Sequence, residues 1–271
     1  MKRLLTILFF ISATLSVTGQ RATKLSRSEL GFMLGGSYYI GDLNQRHFKN
    51  THLAGGILFR YNIHSRLAWR SNIMYGSLEA DDADAKRDII VNRNLSFQSN
   101  ILEVGTGLEF TYLPFEIGHD QYKGTAYLLA EIAVMRMNPT TEYNGDEVEL
   151  QPLGTEGQGT SQSSRGNYPL TQLAIPLGVG FKFSLGKNVA LNLEYGIRFL
   201  FTDYLDDVSS YRYVDPTVLQ AENGPIAADL SNRSLDGSRF GRRGNPATRD
   251  WYSFFGAGVT FRLGRPSTCW H

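Results

Sequence analysis

Nine charged side chains stand where they could act on one another. Glu103, Glu109, Glu131 and Glu194 supply carboxylates, and Arg60, Arg70, Lys182, Arg198 and Arg262 supply cations. Each lies on the polar side of a stretch in which polar and apolar residues alternate. Two chemistries fit such a set. Carboxylates held close together can do acid–base work when one is kept protonated. Carboxylates matched by cations instead form a salt-bridged filling, because a charge in a narrow protein interior is costly unless paired. With so many basic partners at hand, the filling is the expected outcome.

The remaining chemistry-bearing residues are scattered. His64 and His119 fall beside short connections, His271 is the last residue, and His47 and His52 lie by the first long connection without a Ser–Asp partner in view. A nucleophile–base pair of the kind acyl transfer needs is therefore not apparent. The acidic runs Asp81-Asp82-Ala83-Asp84 and Asp206-Asp207 lack a spaced ligand loop with its glycine, so solvated acidic loops are expected in place of calcium sites. Arg239, Arg242, Arg243 and Arg249 concentrate positive charge near the end of the last long connection. They suit either a grip on lipopolysaccharide phosphates or a solvated basic loop. The single cysteine, Cys269, cannot form an internal disulfide and reads as an inert tail thiol. No catalytic, cofactor-binding or metal-binding residues are assigned, and no cofactor is expected.

These residues are positioned by eight alternating stretches, at 29–38, 53–62, 67–76, 102–112, 126–134, 172–183, 189–201 and 251–263. Period two sustained over such lengths means strand. The gaps alternate in size. Those at 63–65 and 185–188 are tight and 113–124 is intermediate, whereas 40–51, 79–92, 138–170 and 203–250 are long. An even strand number with short turns at one end and long loops at the other is the pattern of an outer-membrane barrel. The expected fold is all-β: an eight-stranded antiparallel up-and-down transmembrane β-barrel with short periplasmic turns and long extracellular loops. Many strands reach the roughly 9–11 residues that a tilted crossing needs. Eight strands leave an interior that side chains fill, so no open pore is expected.

A soluble calyx would also alternate, but three features oppose it. The polar face is rich in glycine, the apolar face runs through all eight strands, and aromatic residues gather at both strand ends. Tyr38, Tyr75, Phe199, Phe201 and Trp251 are expected near the outer rim. Phe59, Tyr61, Trp69, Phe110, Tyr112, Phe181, Phe183 and Phe261 are expected near the inner one, giving the two interfacial girdles of a membrane barrel. Pro176, inside the sixth stretch, calls for a bulge or for pairing only beyond it. Segment 154–166, rich in Gly, Ser, Thr and Gln, is expected to be a mobile loop.

At the start, Lys2 and Arg3 precede the apolar run 4–11 and a small-residue stretch ending Val17-Thr18-Gly19. This is a secretory signal peptide in pattern, with Gln20 as the first mature residue. The expected organisation is a signal peptide over 1–19, the barrel over 20–264 and a periplasmic tail over 265–271. Lys+Arg 27 against Asp+Glu 26 gives no electrostatic case for nucleic acid.

Several segments carry a resemblance. They are Gly35-Gly36-Ser37-Tyr38-Tyr39-Ile40-Gly41-Asp42-Leu43-Asn44, Pro152-Leu153-Gly154-Thr155-Glu156-Gly157-Gln158-Gly159, and Gln172 with Ile175-Pro176-Leu177-Gly178-Val179-Gly180. Thr202-Asp203-Tyr204-Leu205-Asp206-Asp207-Val208-Ser209, Arg243-Gly244-Asn245 and Asp250-Trp251-Tyr252 complete the set. Together they resemble the PorG-like outer-membrane barrels of Bacteroidota associated with type IX secretion and gliding motility. The resemblance implies a non-enzymatic scaffolding component integral to the outer membrane. Its implied partners are outer-membrane lipid, lipopolysaccharide, and a periplasmic ring of a PorK-like lipoprotein and its PorN-like soluble partner. It implies no nucleic acid and no small-molecule substrate. The alternative is a general surface barrel, adhesin- or OmpX-like, that binds lipid or ligand through its loops, with an outer-leaflet lipid-modifying enzyme a distant third.

Overall fold

In the computed structural model all eight alternating stretches are strands, joined edge to edge into a closed barrel. The structure describes residues 27–119, 121–163, 165–239 and 241–264. The expected signal peptide, Cys269, His271 and the tail over 265–271 lie outside them. Strands β1 (Ser28–Ile40), β2 (His52–His64), β3 (Leu67–Asp81), β4 (Ser96–Thr111) and β5 (Gly124–Arg136) follow in order. A hairpin of β6 (Pro139–Tyr143) and β7 (Asp146–Glu149) comes next, then β8 (Thr171–Ser184), β9 (Val189–Leu200) and β10 (Trp251–Leu263). The last strand pairs with the first along its whole length, from Ser28↔Leu263 to Ile40↔Trp251. Pairing of β3 with β4 and of β5 with β8 leaves no edge in the cylinder.

Alternation decides which face each residue takes. Phe32, Leu34, Ile57, Ile73, Val104, Leu128, Ile132, Val179 and Leu193 are exposed on the outside, with their neighbours in sequence turned inward. A belt of this extent would be untenable in water and is the lipid-facing wall of a membrane barrel. The girdles fall as expected, with one exception. Tyr38 is fully buried, because the β1–β2 loop lays Phe48 over it and over Phe255 at ring separations of 5.0 and 5.2 Å. Its hydroxyl bonds to those of Tyr195 (2.8 Å) and to His47 Nδ1 (3.0 Å).

The strands outrun the membrane at the long-loop end. β3 and β4 have 15 and 16 residues, more than the roughly 9–11 a crossing needs. Above Tyr75 and Leu102 the polarity inverts. Ser77, Glu79, Gln98 and Asn100 now face outward, while Leu78, Phe97, Ile101 and Met135 pack inside. This upper tier joins Leu150, Leu205, Val208 and Leu230 from the long loops in one apolar core. The cap is thus built like a small water-soluble domain standing on a membrane cylinder.

Pro176 fits neither expected arrangement. Pairing of β8 with β9 runs straight through it (Pro176↔Arg198). Pairing with β5 lapses between Ala130↔Leu177 and Ala133↔Ala174 and resumes in the same register, with no bulge. The missing N–H costs a local gap in one ladder and nothing beyond it. Close approach of β1 and β10 depends on Gly35, where a Cβ would lie 1.9 Å from the Phe255 carbonyl oxygen.

The short-turn end is also closed. Phe115 and Ile117 of the β4–β5 connection are buried against Ala190, and the Lys182 ammonium lies 5.0 Å from the Phe115 ring centre. Arg262 reaches Glu116 (3.3 Å) and donates to the Lys187 carbonyl.

Candidate functional site

Two clusters of charged side chains are assembled, one within the membrane tier and one in the cap. The lower joins residues from β1, β2, β3, β4, β5, β8, β9 and β10, and its members are buried. Arg70 is its hub. It holds Glu194 through two bonds (2.5 and 2.9 Å), lies 2.9 Å from Glu131 and approaches Glu109 at 3.5 Å. Arg60 links Glu109 (2.8 Å) to Glu29 (2.7 Å), and Lys182 takes the other oxygen of Glu109 at 2.6 Å. Arg198 stands 3.4 Å from Glu103, which also accepts from the Tyr252 hydroxyl. Tyr127 and Asn72 donate to Glu194 (2.8 Å) and Glu131 (2.5 Å). Eight of the nine charges singled out in the sequence meet here; Arg262 pairs instead at the short-turn end with Glu116. Each carboxylate here is matched by charged or neutral donors, the arrangement of an ion-paired filling.

The upper cluster centres on Arg243, which is 2% exposed. Its guanidinium donates to Glu156 (2.5 Å), the Asp207 carbonyl (3.0 Å), Thr155 Oγ1 (3.0 Å) and the Ser231 carbonyl (3.1 Å). Glu156 also accepts from the backbone of Ser209 and Ser210 at 2.9 and 2.8 Å. Asp207, in the left-handed region at φ 63°, accepts from Tyr168 (2.7 Å) and from Thr155. Beside it, Arg93 of helix α1 (Asp88–Arg93) clasps Asp82 at 2.6 and 2.7 Å and donates to the carbonyls of Asp42 and Arg243. The Tyr39 hydroxyl stands between Asp206 (2.5 Å) and Asp250 (2.9 Å). The segments around Tyr39, Glu156, Asp207, Arg243 and Asp250 therefore converge on one buried node.

A protein-family model described as Domain of unknown function (DUF6089) matches residues 2–221, well over half the chain. The chain belongs to the DUF6089 family. No curated protein sequence matches it. Among solved structures it is similar to Neisserial surface protein A at 10% identity and a TM-score of 0.43, covering 88% of this chain and 98% of that one. It is also similar to the outer membrane protein OprG of Pseudomonas aeruginosa at 8% identity and a TM-score of 0.43, covering 89% and 99%. The barrel assignment for this DUF6089 chain rests on its own strand closure.

The Asp206-Asp207 run is not the solvated loop expected from sequence, and the 81–84 run is solvated only in part. Asp206 and Asp207 are each 1% exposed, and Asp82 is buried against Arg93. Asp84 of that run meets solvent, with Lys49 at 2.9 Å, and Asp81 is partly exposed. Of the four arginines of the last long loop, Arg243 is buried while Arg239, Arg242 and Arg249 stay exposed. Arg242 lies over the Tyr211 ring at 4.7 Å, and Arg249 caps the Phe201 carbonyl at 2.5 Å. The glycine-rich 154–166 segment is packed over its first part, where Thr155, Glu156, Gln158 and Thr160 are buried. The histidines are dispersed: His47 on Tyr38, His52 on Glu79 (2.8 Å), and His119 accepting from nearby backbone amides. Among the described residues no group of three or more His, Cys, Asp or Glu is arranged to hold a metal.

Burial in the cap raises four of its aspartates. It pushes Asp203 up to about 7 and Asp207 up to about 6, the latter against the pull of Arg243. It also pushes Asp206 and Asp250 well above the ordinary carboxylate range, with each other's or a neighbour's charge adding to the effect. The folded cap therefore holds protons that an unfolded chain, with Asp near 3.9, has released. This contribution to stability is complete below about pH 4 and is lost as pH rises through about 6 and 7. Hydrogen exchange of the backbone over 203–209, corrected for intrinsic rates, is expected to be slower at pH 5 than at pH 8. Equal protection at both values would contradict the raised carboxyls.

Sequence reasoning missed the β6–β7 hairpin and the helices α2 (Pro216–Glu222) and α3 (Pro225–Ser231). Signals for them existed. Asn144-Gly145, both at positive φ, is a two-residue hairpin turn between short strands. Asp215 caps α2 with Pro216 at its first turn. The Arg243 node had no such signal, because its members are separated by up to 88 residues.

Proposed function

We propose that this protein is a non-conducting, non-enzymatic barrel integral to the outer membrane that serves as a structural member of the type IX secretion apparatus. The observation that supports it best is the ion-paired interior: with Arg60, Arg70, Lys182 and Arg198 matched to buried carboxylates, the work falls to the outer surfaces. In this reading the long-loop cap faces outward among lipopolysaccharide. The short turns face the periplasmic ring of a PorK-like lipoprotein and its PorN-like partner, and the chain reaches the membrane through a cleaved signal peptide. The secretion role rests on the resemblance of the segments that build the cap. Pull-down of the tagged chain in mild detergent is expected to recover ring components. A barrel recovered alone, with secretion intact in a deletion strain, would overturn the role.

A second reading, a surface barrel that binds a ligand through its loops, is favoured by one observation. The cap presents an open polar cleft beside the Arg243 node.

A further inference from the structure

That cleft has a volume of about 680 Å³, within the range of roughly 300–1,000 Å³ usual for small-ligand sites. It is lined by residues of 156–163 and by Arg165, together with 204, 210–214 and Pro246. Three kinds of group meet in it. Tyr204, Tyr211 and Tyr213 supply aromatic surface with polar tips. Glu156 and Gln158, at 7% and 4% exposure, each keep one polar atom without a partner, an acceptor Oε2 and a donor Nε2. Arg165 and Arg212 are exposed, and no carboxylate among the described residues pairs with either. The Glu156 charge is already answered by Arg243.

We infer that the cleft binds an acidic saccharide. The C–H face of a sugar ring stacks on tyrosine, and the unpartnered acceptor of Glu156 and donor of Gln158 suit sugar hydroxyls. The two guanidinium groups match a carboxylate or phosphate substituent in geometry and charge. An acyl chain would find too little apolar lining, and a neutral sugar would leave both arginines unused.

The site is organised before any ligand arrives, which lowers the entropy lost on binding. Asn223 fastens the 153–158 turn by donating to the carbonyls of Leu153, Gly154 and Gln158 at 3.0–3.2 Å. Glu222 takes the backbone and hydroxyl of Ser161 at 2.7 and 2.6 Å. Tyr204 is stacked on buried Tyr168 at 4.6 Å with planes 8° apart, and Arg165 reaches its hydroxyl at 3.4 Å.

The inference rests on the second reading above and is independent of the secretion role, so failure of the pull-down leaves it standing. It is tested by titrating the full chain in micelles with trigalacturonic acid, its methyl ester and oligoglutamate. A parallel arm uses delipidated polysaccharide from the producing cell, which separates a self-derived ligand from one met outside. Saturable binding of the acid is expected, weaker at least tenfold for the ester and absent for oligoglutamate. Arg165→Ala with Arg212→Ala, both at exposed positions, should abolish the preference for acid over ester. Gln158→Leu should weaken both sugars about equally, by tenfold or more. Equal binding of acid and ester, equal binding of oligoglutamate, no binding of any saccharide, or affinities unmoved by the arginine pair would each overturn it.

Discussion

Replacing Arg70 by Met is expected to lower the stability of the barrel by about 3–5 kcal/mol, the usual cost of removing one partner from a buried ionic group. The size follows from what the side chain leaves behind. Glu194 and Glu131 lose the cation that holds them, while Glu109 keeps Arg60 and Lys182, and Arg198 stays on Glu103. Met preserves much of the volume, so the loss reports charge and not a cavity. The denaturant midpoint of the refolded barrel reads it directly. Glu194→Gln in the same chain should recover part of the loss, because it removes the carboxylate that Arg70 holds at 2.5 Å. A loss under about 1 kcal/mol would mean that solvent reaches the interior, since only exposed pairs are worth so little.

Arg243→Met should have an effect of similar size confined to the cap. This guanidinium ties together Thr155, Glu156, Asp207 and Ser231, which come from two different long loops. Its loss strands Glu156 and Asp207 below the surface. At about 1.4 kcal/mol per tenfold, a local cost of about 3 kcal/mol raises the population of opened loops about a hundredfold. Limited proteolysis should then cut within 150–210 far faster than in the parent, while the barrel keeps its sheet signature and resists unfolding as before. Unchanged cleavage would show that the node does not hold the loops. Unfolding of the whole chain would show that cap and cylinder are one cooperative unit.

The cylinder was legible from sequence because its rule is local. Once lipid lies outside and a crowded interior inside, every second residue must be apolar, and all eight stretches with that period became strands in the expected order. The paired interior followed from the same parity, since Arg70 and Glu194 can only point inward if Trp69 and Tyr195 point out. The cap obeys a different logic. Its chain is non-periodic, and Asp207 and Arg243 are polar residues in polar loops, which reads as solvent exposure. Their burial depends on contacts across long spans of chain that a window of ten residues does not contain. Pro176 was noticed as a conflict, but its resolution depended on which of two neighbouring strands its nitrogen faced, and alternation says nothing of that.

The central claim is that side chains, and not water, occupy the inside of this cylinder. Planar-bilayer recording of the refolded chain tests it most directly. Insertion verified by protease protection should bring no ohmic steps above the bilayer baseline in 1 M salt. Steady, salt-proportional conductance from the unmodified barrel would contradict the account.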